Sequence, residues 1–240
     1  MTAINRQPES WSQVFRTAWR LITFQASHDE LIGLGWRHFL LGLSCTWLVG
    51  MGRYWDNPRV GLLQHLGVGS VVYIFVLSLF LFLLIAPLRP QHWSLLRLVT
   101  FISLVSPPAV LYAVPVEKFL DLDSANSINL LFLVSVATWR VALLIFFLRR
   151  LGEMRWVAIV VATLLPLTII VVTLTMLNLD KVVFDAMGGG GERSPNDAAY
   201  SVLFLLSLLS ILLFIPLLIA YLALLFDRIM TARYHVTDDT

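Results

Sequence analysis

The amino-acid sequence predicts an all-α membrane protein, a polytopic bundle of six transmembrane helices preceded by an N-terminal amphipathic interfacial helix. Hydrophobic residues make up 58% of the 240 residues, charged residues make up only 13%, and the mean hydropathy is +0.82. An average soluble domain has about 25% charged residues. A soluble domain of this length could not bury so much apolar surface, because its own surface must be covered largely by polar groups.

The N-terminal segment, residues 1–34, contains one amphipathic pattern, at residues 10–24. Ser10 and Gln13 match a capping box at its start. Apolar residues recur every three or four positions, and Arg16, Thr17 and Arg20 lie on the opposite face. This pattern is typical of a helix lying flat in the membrane interface, and equally of a helix packed on the end of its own bundle. The residues expected at the interface are Trp11, Phe15, Arg16, Trp19 and Arg20.

Six apolar stretches are long enough to be membrane spans, since a spanning helix needs about 20 residues. They cover residues 35–51, 67–87, 94–116, 128–148, 156–177 and 200–226, which together define a transmembrane domain over residues 35–226. Small residues from Gly67 to Ser70 predict close helix packing. Residues 178–199 contain four consecutive glycines and are expected to form a flexible outer loop, and residues 227–240 form a polar tail.

The distribution of basic residues predicts the orientation of the bundle, because Lys and Arg are enriched in cytoplasmic loops. With six spans, both termini share one side, and most of the 17 basic residues lie there. That side holds Arg6, Arg16, Arg20, Arg37, Arg89, Arg97, Arg149, Arg150, Arg155, Arg228 and Arg233. The other side holds Arg53, Arg59, Lys118, Lys181 and Arg193. We therefore expect a multi-pass protein of the bacterial inner membrane, with both termini in the cytoplasm.

Arg140 stands out because it lies inside the fourth apolar stretch, where a charge is costly and usually faces the protein interior. None of the acidic residues lies inside a predicted span. Pro107 and Pro108 lack N–H groups, so the carbonyls of Ser103 and Leu104 lose their helical donors. We expect Arg140 to donate to these carbonyls, either as a permanent brace or as part of a functional site. The predicted intramembrane polar site comprises Arg140, Ser103, Leu104, Ser106, Pro107, Pro108 and Ser135.

A second candidate site is predicted at the outer face, where polar residues follow the first span and the third span ends. The alternative is an ordinary solvated rim, in which an Arg–Asp pair contributes little to stability. Its residues are Arg53, Asp56, Arg59, His65, Tyr112 and Glu117.

The sequence contains no recognisable catalytic, metal-binding or cofactor-binding motif, so neither an enzyme nor a bound cofactor is expected. Membrane lipids and other membrane subunits are the expected partners, and nucleic acid is not. Two functional hypotheses remain open. The first is a scaffold, assembly factor or accessory subunit of a membrane complex. The second is a small transporter or lipid-handling protein with a polar site at Arg140, and a water-accessible cavity reaching Arg140 would favour this second hypothesis.

Overall fold

A computed structural model describes residues 9–53, 61–177 and 198–237, and within these ranges the chain forms helices and no strands. Two short helices follow the N-terminus, and three 3₁₀ segments interrupt or extend the longer helices. The helices are α1 (Trp11–Ile22), α2 (His28–Ile32), α3 (Trp36–Gly52), α4 (Leu62–His65), α5 (Val68–Ile85), α6 (Leu95–Leu104), α7 (Leu122–Arg150), α8 (Trp156–Met176) and α9 (Ala198–Thr237). The 3₁₀ segments are Ala86–Leu88, Pro107–Ala113 and Val116–Lys118.

Five helical segments are long and apolar enough to cross a membrane, which indicates a multi-pass membrane protein. They are Val68–Leu88, Leu95–Ala113, Asp123–Arg150, Trp156–Met176 and Val202–Met230. These segments coincide with the second to sixth predicted spans. The first predicted span is also helical, but α3 has only 17 residues and is not one of the five.

The bundle has two distinguishable ends. We call the end where α5 and α7 end and α6 and α8 begin the arginine-rich end, because Arg89, Arg97, Arg149, Arg150 and Arg155 lie there. The stacked rings of Phe101 and Phe147, with centroids 4.2 Å apart, join α6 to α7 near this end. The largest buried side chains concentrate in this half, where they include Phe101, Phe147, Leu148 and Leu151.

The third predicted span is broken where the two prolines occur. The α-helix α6 ends at Leu104, and the chain continues as the 3₁₀ segment Pro107–Ala113. Because a proline cannot donate to the preceding turn, the regular helical hydrogen bonds stop here. The segment nevertheless continues in the same general direction, so α6 and Pro107–Ala113 together cover one long apolar stretch.

Helix α3 packs along this broken span over its whole length. Arg97 at the start of α6 donates through Nε to the carbonyl of Ile32, just before α3, at 3.1 Å. In the middle of α3, a Cβ atom added to Gly42 would contact Ser103. Near the end of α3, a Cβ atom added to Gly52 would contact Ala113. The two segments therefore run parallel and are similar in length, with 17 residues in α3 and 19 in Leu95–Ala113.

Close approach of α3 depends on glycine. A Cβ atom on Gly42 would lie 2.3 Å from the Ser103 Oγ and 2.8 Å from the Leu104 backbone nitrogen. One on Gly50 would lie 2.6 Å from the Ser70 Oγ, which confirms that the Gly67–Ser70 segment makes a close helix contact. Gly67 itself has a φ of +68°, a left-handed conformation that favours glycine.

The N-terminal segment packs against the arginine-rich end of the bundle. Ser10 and Gln13 form the predicted capping box at the start of α1. Arg20 forms a 2.8 Å salt bridge with Glu30. The Trp139 Nε1 of α7 donates to the carbonyl of Ile22 at 3.2 Å, and His28 Nδ1 lies 2.7 Å from the carbonyl oxygen of Arg150.

The faces of α1 differ from the sequence expectation. The buried residues are Val14, Thr17, Ala18 and Leu21, so Thr17, which was assigned to the polar face, packs inward. The aromatic residues Trp11, Phe15 and Trp19 remain exposed, as does Arg16. The apolar residues of α1 therefore form two stripes. Val14, Ala18 and Leu21 pack on the bundle, whereas Trp11, Phe15 and Trp19 do not.

Candidate functional site

A cavity of about 200 Å³ lies within the bundle between α5, α6, α7 and α8. Arg140 lines it from α7, together with Val136, Ala137, Val141 and Leu144. These positions recur at one, three or four residues, so they form one face of the helix. Arg140 is ten residues from the end of α7 at Arg150, or about 15 Å along the helix axis, well inside the apolar stretch.

The guanidinium group of Arg140 is incompletely paired. Its Nε is buried and has no hydrogen-bond partner among the residues that the structure describes. Thr163 of α8 lines the same cavity, is only 1% exposed, and has a hydroxyl that likewise finds no partner among the described residues. A buried donor without an acceptor costs free energy, about 1–3 kcal/mol for a neutral group and more for a charged one. Two residues with such unpaired donors therefore line one cavity, which favours an occupant that accepts hydrogen bonds.

Ser106 and Tyr112 also place polar side chains around the cavity. Ser106 donates its hydroxyl to the carbonyl of Ile102 at 3.1 Å, which leaves its oxygen as an acceptor on the cavity wall. Tyr112 lies close enough to Arg140 and Arg53 to interact electrostatically with both. The rest of the wall is mostly apolar, with Phe101, Ile102 and Val105 from α6 and Pro166 and Ile170 from α8.

The cavity opens toward the side of the bundle. Tyr73 of α5 and Leu167 of α8 line it, yet these side chains are 45% and 38% exposed. Ala137 of α7 also lines the cavity and is exposed. All three lie in segments that are long and apolar enough to cross a membrane.

The predicted pairing of Arg140 is wrong. Among the described residues, no hydrogen bond joins its guanidinium to the carbonyls of Ser103 and Leu104. The Ser103 carbonyl instead accepts from the Ser106 backbone N–H at 3.4 Å and from Thr46 Oγ1 at 3.1 Å, and the Thr46 hydroxyl shares its proton with the Gly42 carbonyl at 2.8 Å. Thr46 reaches this carbonyl because Gly42, one helical turn earlier, lets α3 approach α6 so closely.

The structure brings together only part of the predicted intramembrane set. Arg140 and Ser106 line the cavity, whereas Ser103, Leu104, Pro107 and Pro108 do not. Ser103 and Leu104 are buried against α3, and the Ser103 hydroxyl donates to the Thr100 carbonyl at 2.7 Å. Ser135 is exposed and does not line the cavity. It precedes Arg140 by five residues, and this spacing places it on a different face of α7.

Thr46 and Thr163 are the two residues that the sequence analysis missed. Thr46 lies four residues after Gly42 and four before Gly50, so its helical spacing with two glycines was an available signal. Thr163 had no comparable signal, because α8 contains several threonines and only the packing of the helices selects one of them.

The second candidate site is only partly described. The Arg53 guanidinium lies 5.2 Å from the centre of the Tyr112 ring, so these two residues do meet at the end of the bundle opposite the arginine-rich end. His65 lies in the short helix α4, and Glu117 in the 3₁₀ segment Val116–Lys118. Asp56 and Arg59 lie outside the described residues.

Four of the five residues predicted for the membrane interface, Trp11, Phe15, Arg16 and Trp19, are exposed, and Arg20 is half-buried. Trp11, Phe15 and Trp19 recur every four residues along α1. The Arg37 guanidinium lies 5.9 Å from the ring centre of Trp11 and donates to the carbonyl of Glu9. Arg20 also donates to the Gln25 carbonyl at 2.9 Å, so its charge is engaged within the N-terminal segment.

Comparison with known proteins adds no functional information: no protein-family model, curated protein or solved structure matches the chain significantly.

Proposed function

We propose that this protein is a lipid-handling membrane protein that binds an amphiphile with a single carboxylate headgroup in the cavity at Arg140. The observation that carries the proposal is that Arg140 and Thr163 line one cavity, while the Arg140 Nε and the Thr163 hydroxyl have no hydrogen-bond partner among the described residues. A cation in a low-dielectric region is stabilised when an anion and hydrogen-bond acceptors surround it.

The headgroup that fits best is a carboxylate. Among the described residues, Arg140 is the single charged residue on the cavity wall, so one negative charge would neutralise it. A carboxylate accepts hydrogen bonds through two oxygens, which matches the two donors that lack partners. Charge-assisted hydrogen bonds of this kind are stronger than neutral ones.

The size and the mouth of the cavity support an amphiphile rather than a compact polar solute. A volume of about 200 Å³ accommodates a headgroup and a few methylene groups, but not a long chain. The remaining chain would pass between Tyr73 and Leu167 into the hydrocarbon region, where it needs no further protein cover. The apolar wall stabilises the first methylene groups at about 0.8 kcal/mol each.

Binding of oleate to the full-length protein in phosphatidylcholine nanodiscs tests this proposal. Arg140→Gln keeps hydrogen-bond donors but removes the charge, and we expect it to weaken oleate binding. Loss of about 2 kcal/mol from one charge-assisted hydrogen bond corresponds to roughly a thirtyfold increase in Kd. Arg140→Lys should retain most of the affinity, since it keeps the charge.

Two controls separate the site from general membrane effects. Arg16→Gln removes an equal charge from an exposed position on α1 and should leave oleate binding unchanged. Oleyl alcohol has the same chain without the carboxylate and should bind weakly to every variant. Equal oleate affinity of the native protein and the Arg140→Gln variant would contradict the proposal.

We further propose that α3 is a sixth membrane-crossing helix and that both termini lie in the cytoplasm of a bacterial cell, with the protein in the inner membrane. The contacts of α3 with a span of similar length support the crossing, and the concentration of arginines at one end supports the orientation. On a Cys45→Ala background, a membrane-impermeant thiol reagent added to intact cells should label Gln64→Cys but neither Ser12→Cys nor Arg228→Cys. Labelling of Ser12→Cys and Gln64→Cys from the same side would exclude the sixth crossing.

A second candidate function, an accessory subunit of a membrane complex, is favoured by α9. Only 17% of its apolar segment is buried within the bundle. Leu212 is 64% exposed, whereas Leu217 on another face is buried. Cross-linking in native membranes through Leu212→Cys, compared with Leu217→Cys, should yield a defined larger complex if α9 contacts another subunit. Absence of such a product would leave α9 facing lipid.

A further inference from the structure

A second cavity, separate from the one at Arg140, lies at the arginine-rich end between the start of α8 and the last turns of α9. Its volume is about 340 Å³. Arg155 and Arg228 line it from the two helices, together with Asp227 and the apolar side chains of Leu88, Val157 and Leu224. We propose that this cavity binds the phosphate group of an anionic phospholipid.

The charges around the cavity set the class of ligand. Two arginines and one aspartate give a formal charge of +1, which one phosphodiester group of charge −1 would neutralise. Both arginines are exposed, and neither forms a hydrogen bond or an ion pair with the residues that the structure describes. Their guanidinium groups can therefore turn toward a phosphate, with which arginine forms two parallel hydrogen bonds.

The backbone of α8 supplies further donors beside the arginines. The N-cap residue of α8 is Arg155, and no side chain caps the first turn of this helix. The first N–H groups of a helix have no partner within the helix and carry partial positive charge. Val157 and Ala158, which belong to this turn, line the cavity.

The position of the cavity favours a lipid over a soluble phosphate. Trp156, next to Arg155, is 59% exposed, and tryptophan is typical of the membrane–water interface. Val157 on the cavity wall is 64% exposed and begins a segment that can cross the membrane. A phosphate held by the two arginines would thus have its glycerol and acyl groups beside the apolar wall and the hydrocarbon region. Basic pockets of this kind between transmembrane helices bind lipid headgroups.

Native mass spectrometry of the detergent-purified full chain, with added phosphatidylglycerol or phosphatidylcholine, tests this inference. We expect the native protein to retain phosphatidylglycerol preferentially. Each arginine near a headgroup contributes roughly a fivefold gain in affinity, so Arg155→Gln and Arg228→Gln should each lower the preference about fivefold. The double variant should retain the two lipids equally, and the Arg155→Lys/Arg228→Lys variant should keep the preference.

Three comparisons decide the outcome. Arg16→Gln and Arg140→Gln should leave the preference unchanged, so failure of the oleate site and failure of this site are distinguishable. Glycerol 3-phosphate in excess should compete poorly, because it lacks the acyl chains; full competition would mean that the site takes soluble phosphates instead. Unchanged preference in the folded double variant, or equal retention of both lipids by the native protein, would overturn the inference.

Discussion

Replacing Gly42 by alanine should loosen the contact that positions α6, and the structure gives the size of the effect. The added Cβ would lie 2.3 Å from the Ser103 Oγ and 2.8 Å from the Leu104 backbone nitrogen, so α3 and α6 must separate by about 1 Å to reach van der Waals distances. Such overpacking costs about 1–3 kcal/mol. The 3.1 Å hydrogen bond from Thr46 to the Ser103 carbonyl would lengthen as well, at a cost of about 1 kcal/mol. Alanine regains up to about 1 kcal/mol in helix propensity, which leaves a net loss of about 1–3 kcal/mol.

The chain offers a matched control at Gly69 in α5, where an added Cβ has no atom within 4 Å. Gly69→Ala should therefore be neutral or stabilising by up to about 1 kcal/mol. Both free energies of unfolding can be measured by titrating the protein from mild mixed micelles into SDS while following tryptophan fluorescence. If Gly42→Ala were as stable as Gly69→Ala, the close approach of α3 to α6 would be refuted.

Three further predictions concern single hydrogen bonds at other places in the bundle. Thr46→Val should lower the free energy of unfolding by about 1 kcal/mol, because the buried Ser103 carbonyl loses one of its two donors, whereas Thr46→Ser should not. The same SDS titration measures both variants. Tyr221→Phe removes the 2.8 Å hydrogen bond from the tyrosine hydroxyl to the Leu84 carbonyl and should lower the free energy of unfolding by about 1 kcal/mol. Unchanged stability would mean that this bond does not hold α9 to α5. The Asp121 carboxylate caps α7 by accepting from the Ser124 N–H, and this hydrogen bond lowers the pKa of Asp121 below the usual 3.8. The cap therefore stabilises the first turn at neutral pH and is lost as the pH falls through the folded-state pKa. After correction for intrinsic rates, hydrogen exchange of the Ser124 amide should accelerate in the native protein as the pH falls through the folded-state pKa, which lies below 3.8. In Asp121→Asn this acceleration should be absent.

Composition and apolar run length were enough to predict the main helices, because a lipid-facing helix must be apolar almost all round. The ends of the helices were harder to predict. Helix α7 begins at Leu122, six residues before the predicted start of the span, because Asp121 caps a polar first turn that carries no hydropathy signal. The paired prolines predicted lost helical hydrogen bonds, but not that α6 would end at Leu104 and the chain continue from Pro107 as a 3₁₀ segment.

The candidate site shows which information the sequence lacked. Arg140 was conspicuous because a charge inside an apolar stretch must face protein, water or a ligand. Its partners depend on which helices pack against α7, and this is a tertiary property. The carbonyl expected to accept from Arg140 is occupied by Thr46, and the donor that joins Arg140 at the cavity is Thr163.

The proposed binding of an anionic amphiphile can be tested most directly by photolabelling with a long-chain fatty acid that carries a diazirine near its carboxylate. After irradiation of the full chain in nanodiscs and peptide mapping, we predict labels on cavity residues such as Leu77, Val141 and Ile170. Unlabelled oleate should suppress these labels, and Arg140→Gln should abolish them. Labels distributed along the exposed residues of α9 and unaffected by Arg140→Gln would contradict a carboxylate site at Arg140.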